Sequence, residues 1–240
     1  MSQAGDAHDL DAASLDGMTD PAAAPSSAHD RTVVVAGAGG AAGREVCAAL
    51  TAAGAYVIAV SSRPDTIEEI AAAETHALDL SDADAVAEWA RALRTRRPSI
   101  DGLIHLVGGW RAGASDEDWE WLEKRVLTTL RVTSRELRDD LSASSAGRLA
   151  IVSSASVASP RWGMVNYVTL KTAAETWVQA LANGWRVKGT PTAAVTLVVE
   201  SLEGEGVVDA LAQSVAALWD LPHEKLNGVV ATLGDDAAVE

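Results

Sequence analysis

From Thr32 onward the chain alternates short apolar runs with segments of helical periodicity, and this alternation constrains the fold more than any other feature. Seven runs of four to seven residues are mostly β-branched or aliphatic, which is typical of strands buried on both faces of a parallel sheet. Parallel strands are joined by helical crossovers. Seven strands in strict alternation with six helices therefore predict one doubly wound α/β domain, with strands over residues 32–36, 55–60, 75–78, 102–107, 148–153, 193–199 and 228–233.

Apolar side chains recur at helical spacing between these runs. Val86, Trp89 and Leu93 fall at i, i+3 and i+7, and a second stripe follows between residues 170 and 181. We expect helices over residues 44–53, 115–141 and 167–183, among others. Residues that favour the first position of a helix precede two of the predicted helices: Ser81 with Asp82, and Ser115 with Asp116.

The composition suits one folded core and disfavours anionic partners. Hydrophobic residues make up 48% of the 240 residues, which excludes a disordered or collagen-like chain. The formal net charge is −15, from 19 Lys and Arg against 34 Asp and Glu. Such a body repels phosphate backbones and anionic lipids, so we expect neither a nucleic acid nor a membrane as partner. A neutral or cationic small molecule fits better.

Residues 1–30 differ from the rest of the chain. They hold six aspartates and no lysine or arginine, so we expect a disordered acidic tail before a single domain over residues 31–240. The tail lacks the basic start and apolar run of a secretory signal. With one cysteine, Cys47, and no Cys/His spacing suited to a metal, the sequence predicts a cytoplasmic, metal-free protein without a membrane span.

A glycine-rich turn follows the first predicted strand and precedes a helix. In such a turn one glycine permits a sharp bend, another lets a pyrophosphate approach the backbone amides, and another packs the helix against the strand. The free N–H groups of the helix then face the phosphates. The turn predicts dinucleotide binding, although a tight turn alone would use the same residues: Gly37, Gly39, Gly40 and Gly43.

The ends of the next strands indicate which dinucleotide is bound. Ser62 and Arg63 follow the second strand, and a hydroxyl beside a basic residue suits a 2′-phosphate, so NADP(H) is favoured over NAD(H). The alternative is that Arg63 is simply a solvated residue before a proline. Asp79 ends the third strand, where it would either bind the adenine amino group or cap a helix. The remaining predicted cofactor contacts follow the third and fourth strands: Leu80, Val107 and Gly108.

Tyr167 and Lys171 lie four residues apart, which places both on one face of a helix. A neighbouring ammonium lowers the pKa of a phenol from about 10 toward the working pH, which would make Tyr167 a proton donor or acceptor. Ser154 ends a strand 13 residues before Tyr167 and would hold the substrate oxygen. The alternative is a tyrosine at a helix start and a surface lysine.

This order of motifs, from the glycine turn through Asp79, Gly108 and Ser154 to Tyr167 and Lys171, resembles the short-chain dehydrogenase/reductase family over about residues 32–235. The resemblance implies a Rossmann-type seven-stranded sheet in the order 3-2-1-4-5-6-7. It also implies a bound NAD(P)(H) and hydride transfer between the nicotinamide and a carbonyl or secondary alcohol of a small molecule. In that family the serine orients the carbonyl, the tyrosine protonates it, and the lysine binds the nicotinamide ribose and lowers the tyrosine pKa. Members usually form dimers or tetramers, so a homodimer or homotetramer is expected.

Several positions depart from the usual family pattern. The catalytic asparagine expected near residues 123–129 is absent, and Glu200 and Ser201 stand near the place of a Pro-Gly pair. His105 occupies an altered motif and is interpreted as a structural strand-end residue. These departures keep a second hypothesis open, in which the protein is a non-catalytic dinucleotide sensor or scaffold.

Residues after the fourth and fifth strands suggest what the substrate contacts. Gly108-Gly109-Trp110 is similar to the dihydropteridine reductase branch of the family, which would imply reduction of a flat heterocycle against Trp110. Ligands of open α/β sheets bind at the carboxyl ends of the strands. The predicted substrate contacts are therefore Gly109, Trp110, Trp162, Met164 and Glu200, although both tryptophans would also suit core or interface packing.

Overall fold

Seven parallel strands form one sheet in the order β3-β2-β1-β4-β5-β6-β7. The computed structural model that shows this sheet describes residues 28–233. Both the predicted α/β class and the implied strand order are confirmed. Most of the predicted acidic tail, residues 1–27, lies outside the described residues. The strands are β1 (Thr32–Ala36), β2 (Tyr56–Ser61), β3 (Glu74–Ala77), β4 (Gly102–His105), β5 (Arg148–Ser154), β6 (Ala193–Val199) and β7 (Val229–Thr232).

Helices cover both faces of this sheet. Alternate residues of β1 point to opposite sides, so Val33 and Val35 join one apolar cluster while Val34 and Ala36 join the other. Helices α1 (Ala41–Ala52) and α6 (Val207–Ala216) pack on the first side. The second side is covered by α2 (Ala83–Arg96), α4 (Thr129–Ala143) and α5 (Val165–Lys188). Both faces of the sheet are thus buried, as its continuous apolar strands predict.

The crossover between β2 and β3 differs from the prediction. Within residues 62–73 there is no α-helix, only one 3-10 turn over Pro64–Thr66. The backbone N–H and the hydroxyl of Thr66 both donate to the carbonyl of Arg63, which closes this turn. The strict alternation of seven strands with six helices is therefore wrong here.

The predicted helix starts are confirmed where capping residues signalled them. The Asp82 carboxylate accepts hydrogen bonds from the backbone N–H groups of Asp84 and Ala85, each 3.1 Å long. The Ser115 hydroxyl accepts one from Asp118 at 3.2 Å. These contacts satisfy N–H groups that have no partner within the helix.

The helix predicted over residues 115–141 is divided into three parts. Helix α3 (Asp116–Leu122) leads into one π-helical turn, Glu123–Thr128, and α4 continues from there. A π-turn contains one more residue than an α-turn and is often found at functional sites. Lys124 and Arg125 lie on this wider turn. No helix within residues 28–233 has the length and apolar character needed to cross a bilayer.

The glycine turn contacts the chain that follows β4. Gly37 has φ +87°, and a Cβ atom placed on it would lie 2.8 Å from the backbone of both Leu106 and Val107. A larger residue would therefore combine an unfavourable backbone conformation with a backbone clash.

We predict that Gly37→Ala lowers the free energy of unfolding by about 1–3 kcal/mol, because of this strain and the clash. The measurement is chemical denaturation followed by circular dichroism. Gly163→Ala is the matched control, since a Cβ at Gly163 meets nothing within 4 Å. Equal stability of the two variants would show that the turn tolerates a side chain.

Candidate active site

Two adjoining cavities open where the strands end. The register of the sheet pairs Ala36 with His105, so the glycine turn after β1 meets the chain after β4. One cavity measures about 460 Å³ and the other about 550 Å³. Leu106, Val107 and Gly108 line both. Ligands of open α/β sheets bind at this edge, and a long ligand would cross from one cavity to the other.

The first cavity, called here the nucleotide cavity, gathers nearly all of the predicted cofactor residues. Its walls come from the glycine turn, the ends of β2 and β3, the chain after β4, and the π-turn. The predicted residues that line it are Gly37, Gly39, Gly40, Ser62, Arg63, Asp79, Leu80, Val107 and Gly108.

Gly43 lies behind this wall. A Cβ on Gly43 would lie 2.6 Å from the Cα of Ala38, so the residue lets α1 pack closely against the turn. Gly39 has a similar role toward β2, because its Cβ would lie 2.8 Å from the Ser61 hydroxyl. The Ser61 hydroxyl lies 3.0 Å from that of Thr66, so the 3-10 turn rests against the glycine turn.

Asp79 is an ionised group on the cavity wall and does not cap a helix. Hydrogen bonds from Ser81 and then from Lys124 lower its pKa to about 2, against the opposing effect of burial. The Lys124 ammonium lies 3.0 Å from its carboxylate. The alternative role of Asp79 as a helix cap is wrong, since Asp82 caps α2. Its contact with an adenine amino group stays a prediction.

The π-turn and α3 supply a basic and aromatic wall that sequence reasoning missed. Trp121 lies between two guanidinium groups, with Arg111 and Arg125 each 4.3 Å from its ring centre. Trp121, Lys124, Arg125 and Thr129 all line the nucleotide cavity. The one available signal was the basic pair Lys124-Arg125 after a strongly acidic stretch.

The second cavity, called here the catalytic cavity, brings together Ser154, Tyr167 and Lys171. Ser154 is 6% exposed, and its hydroxyl accepts a hydrogen bond from the backbone N–H of Ser156 at 3.2 Å. Lys171 is 8% exposed, and its ammonium donates to the carbonyl of Val152 at 2.8 Å. The ammonium lies 5.8 Å from the centre of the Tyr167 ring. The three side chains therefore share one small volume next to the nucleotide cavity.

Burial controls the protonation of this group. It raises the pKa of Tyr167 above the usual 10, and the hydrogen bond from Ser154 offsets part of that rise. Desolvation of the phenolate dominates the pKa of Tyr167 here, and the expectation that Lys171 lowers this pKa stays a prediction. Burial also lowers the pKa of Lys171 to about 8, while Glu175 acts in the opposite direction.

His105 is more than a strand-end residue, because it lines the catalytic cavity. Its Nε2 lies 3.1 Å from the Thr129 hydroxyl. Burial, with a smaller effect from the Lys171 charge, lowers the pKa of His105 to about 3. The ring is therefore neutral at physiological pH and adds no positive charge beside Lys171.

The predicted substrate contacts divide into two groups. Gly109, Trp110 and Glu200 line the catalytic cavity, with Ser201, Leu202 and Glu203 of the segment before α6. Trp162 and Met164 do not line it, so their prediction as substrate contacts is corrected. Both belong to a 3-10 turn before α5, and Trp162 is 78% exposed beside a separate shallow groove. Within residues 28–233 no three His, Cys, Asp or Glu side chains group as a metal site would require.

Comparison with protein families gives one match that covers most of the chain. The family described as short chain dehydrogenase matches residues 31–200. This segment contains the glycine turn and the ends of the strands that border the two cavities. It also contains Ser154, Tyr167 and Lys171 of the catalytic cavity.

A curated relative is 2,3-dihydro-2,3-dihydroxybenzoate dehydrogenase of Bacillus subtilis (strain 168). The two sequences are 26% identical over 159 residues, which is 61% of this chain and 61% of the relative. The match therefore spans less than two thirds of the relative's length.

Two solved structures share the fold. ElxO, solved with NADP bound, has 14% sequence identity and a TM-score of 0.72, over 85% of this chain and 97% of that one. A short-chain type dehydrogenase/reductase from Mycobacterium ulcerans has 18% identity and a TM-score of 0.73, over 85% and 88% of the two chains. At such identities the likeness establishes the fold alone.

Proposed function

Because this chain belongs to the short-chain dehydrogenase family, we propose that it is an NAD(P)(H)-dependent oxidoreductase acting on a carbonyl or secondary alcohol of a small molecule. One observation carries the proposal. The nucleotide cavity and the catalytic cavity share the wall formed by residues 106–108. A dinucleotide held by the glycine turn would therefore reach Ser154, Tyr167 and Lys171.

The residues of the nucleotide cavity fit a dinucleotide. Gly40 lines the cavity, and a Cβ placed on it would meet only the Gly37 carbonyl, at 3.7 Å, so the backbone of the turn faces open space at the place where a phosphate would approach. The N-terminus of α1 supplies free N–H groups and a partial positive charge at the same place. When bound, the reduced nicotinamide supplies the hydride that is added to the carbonyl carbon.

We propose NADP(H) as the preferred cofactor, with Ser62 and Arg63 at its 2′-phosphate. Both side chains are exposed on the cavity wall. Lys124 and Arg125 add positive charge to the wall of a cavity in an otherwise acidic protein. This distribution favours the more highly charged of the two dinucleotides.

Arg63→Ala is predicted to weaken NADPH binding about tenfold or more, because a charge-assisted hydrogen bond is lost, and to leave NADH binding unchanged. Titration followed by tryptophan fluorescence measures both affinities. Arg91→Ala is the control, since Arg91 is exposed on α2 away from the cavity. If Arg63→Ala keeps the wild-type preference for NADPH over NADH, Arg63 is a solvated surface residue without a role in cofactor binding.

Ser154 and Tyr167 are the proposed proton-handling pair. The phenol stays protonated at neutral pH because burial raises its pKa, so Tyr167 serves as the general acid in the direction of carbonyl reduction. The Ser154 hydroxyl lies on the same cavity wall and would hold the substrate oxygen for protonation. In the oxidation direction the tyrosinate is required, so that direction is favoured by high pH.

Lys171 supplies the positive charge of the site. Its ammonium is held by the Val152 carbonyl and would reach the ribose next to the nicotinamide. Below about pH 8 the side chain is a cation, and above this pH the charge is lost. Developing negative charge on the Tyr167 oxygen is stabilised only while Lys171 is charged.

Tyr167→Phe is predicted to lower kcat for carbonyl reduction by roughly 10²–10⁴-fold, because the general acid is removed, with NADPH binding retained. NADPH consumption is measured against a panel of ketones. The only other tyrosine is Tyr56, which begins β2 and whose hydroxyl donates a hydrogen bond to Glu74 of β3. Tyr56→Phe is therefore the matched control. Full turnover in Tyr167→Phe would show that Tyr167 is not the general acid, whereas NADPH binding without turnover in the wild-type protein would favour the sensor or scaffold hypothesis.

A flat heterocycle is the second candidate substrate. Trp110 is 61% exposed at the mouth of the catalytic cavity, where its ring would stack on a planar ligand. The exposed mouth also holds Glu200 and Glu203, which favours neutral or cationic substrates over anionic ones. The substrate panel therefore includes a dihydropterin, together with neutral, cationic and anionic ketones of similar size.

We propose that the protein is a homo-oligomer. A cytoplasmic location and an acidic tail over residues 1–30 also stay proposals. Val126 of the π-turn is buried and Trp121 of α3 lines the nucleotide cavity, so neither offers an apolar surface to a second copy. The outer face of α5 instead carries a shallow, mostly apolar groove that includes Ala173, Trp177 and Ala180. Its burial in a second copy is the proposed interface.

Light scattering after size exclusion is predicted to give twice or four times the chain mass of 24.9 kDa. Trp177→Glu is expected to shift this toward the single-chain mass, because a charge would be buried in the interface. Trp119→Glu is the control, since Trp119 is 39% exposed on α3. A wild-type mass of 24.9 kDa would contradict the oligomer.

A further inference from the structure

Glu175 continues the face of α5 that carries the catalytic pair. Tyr167, Lys171 and Glu175 follow one another at intervals of four residues, so they lie on one side of the helix. The proposed reaction assigns roles to the first two and none to Glu175.

The side chains of Lys171 and Glu175 form hydrogen bonds with two consecutive residues of β5. The Lys171 ammonium donates to the carbonyl of Val152 at 2.8 Å. The hydroxyl of Ser153 donates to the Glu175 carboxylate. Ser153 is 1% exposed, whereas Glu175 is half-buried, so this hydrogen bond is partly shielded from water. The next residue is Ser154, and both contacts therefore hold α5 against the strand end that carries it.

Few charges surround Lys171 in this region. His105 from β4 is neutral, because burial lowers its pKa to about 3. Tyr167 on α5 is also neutral, since burial raises its pKa. Val152, Ser153 and Ser154 of β5 carry no charge. Glu200 and Glu203 line the same cavity at its exposed mouth, whereas Glu175 is half-buried one helical turn after Lys171 on α5.

We propose that Glu175 is a positioning residue for this reaction, which holds Ser153 and supplies the negative charge that keeps Lys171 an ammonium. The inference rests on the proposed function, since Lys171 is taken as the cation of that site. Burial alone lowers the pKa of Lys171, and the Glu175 charge acts in the opposite direction. Without Glu175 a smaller fraction of Lys171 would be charged at neutral pH.

A purely structural role makes different predictions. If Glu175 only joined α5 to β5, loss of the hydrogen bond would have an effect and loss of the charge alone would have none. Ser153→Ala removes the hydrogen bond and keeps the charge, whereas Glu175→Gln keeps a hydrogen-bond acceptor and removes the charge. Glu88→Gln removes an exposed carboxylate from α2 and is the matched charge control.

The titration of Lys171 is read directly by NMR on full-length protein labelled with ¹³C at the lysine ε-carbon. The chain contains four lysines, and the resonance that is missing from Lys171→Arg assigns Lys171. We expect Glu175→Gln to lower its titration midpoint by about one pH unit, the scale of a neighbouring charge in a buried site. Ser153→Ala and Glu88→Gln are expected to leave the midpoint within a few tenths of a unit of wild type.

A midpoint that is unchanged in Glu175→Gln, or shifted equally by Ser153→Ala, would overturn the proposal. Melting temperatures confirm that each variant is folded. If Glu175→Gln is unfolded, Ser153→Ala is compared with the Ser153→Ala/Glu175→Gln double variant, in which no buried hydroxyl is left without its partner.

Turnover provides the second measurement. The high-pH limb of carbonyl reduction is expected to move to lower pH in Glu175→Gln by the same shift as the NMR midpoint, with NADPH affinity retained. A limb that does not move, in an enzyme that is active, would contradict the role of Glu175. If the wild-type protein turns over no carbonyl at all, the proposed function fails, and the NMR midpoint still decides whether Glu175 controls the charge of Lys171.

Discussion

The close approach of Gly37 to the backbone of Leu106 and Val107 is the constraint on which the site depends. Only a residue without Cβ permits it, at a φ of +87°. The approach brings the end of β1 against the chain after β4, so that residues 106–108 form a wall common to both cavities. Because β1 pairs with β4 and β4 with β5, this wall lies between the cofactor residues and the proton-handling residues.

Features encoded by local patterns were predicted correctly from the sequence. The apolar runs located all seven strands to within two residues, because a strand buried on both faces leaves few polar positions. Asp82 and Ser115 marked helix starts, since capping requires a specific side chain next to free N–H groups. The spacing of Tyr167 and Lys171 placed both in the catalytic cavity, because helical periodicity is a local property.

Features set by tertiary contacts were not predictable in this way. The segment between β2 and β3 closes as a 3-10 turn on the glycine turn instead of forming a helix. Trp162 lies in an exposed 3-10 turn that does not line the catalytic cavity, which its position after β5 did not reveal. The pKa of Tyr167 depends on how deeply the phenol is buried. The sequence spacing shows that Lys171 is one helical turn away, but it does not show how much solvent the phenol loses. That loss of solvent has the largest effect on the pKa of Tyr167.

The π-turn over Glu123–Thr128 acts as a one-residue insertion within a helix. Each helical residue corresponds to a rotation of about 100° around the axis. Deleting one residue of this turn would restore a continuous α-helix and rotate α3 by that angle relative to α4. Trp121 would then leave its place on the cavity wall beside Gly109, where a Cβ on the glycine would clash with the indole ring. The aromatic wall of the nucleotide cavity is therefore a product of helix register, and homologous chains would gain or lose it by a change in length as readily as by substitution.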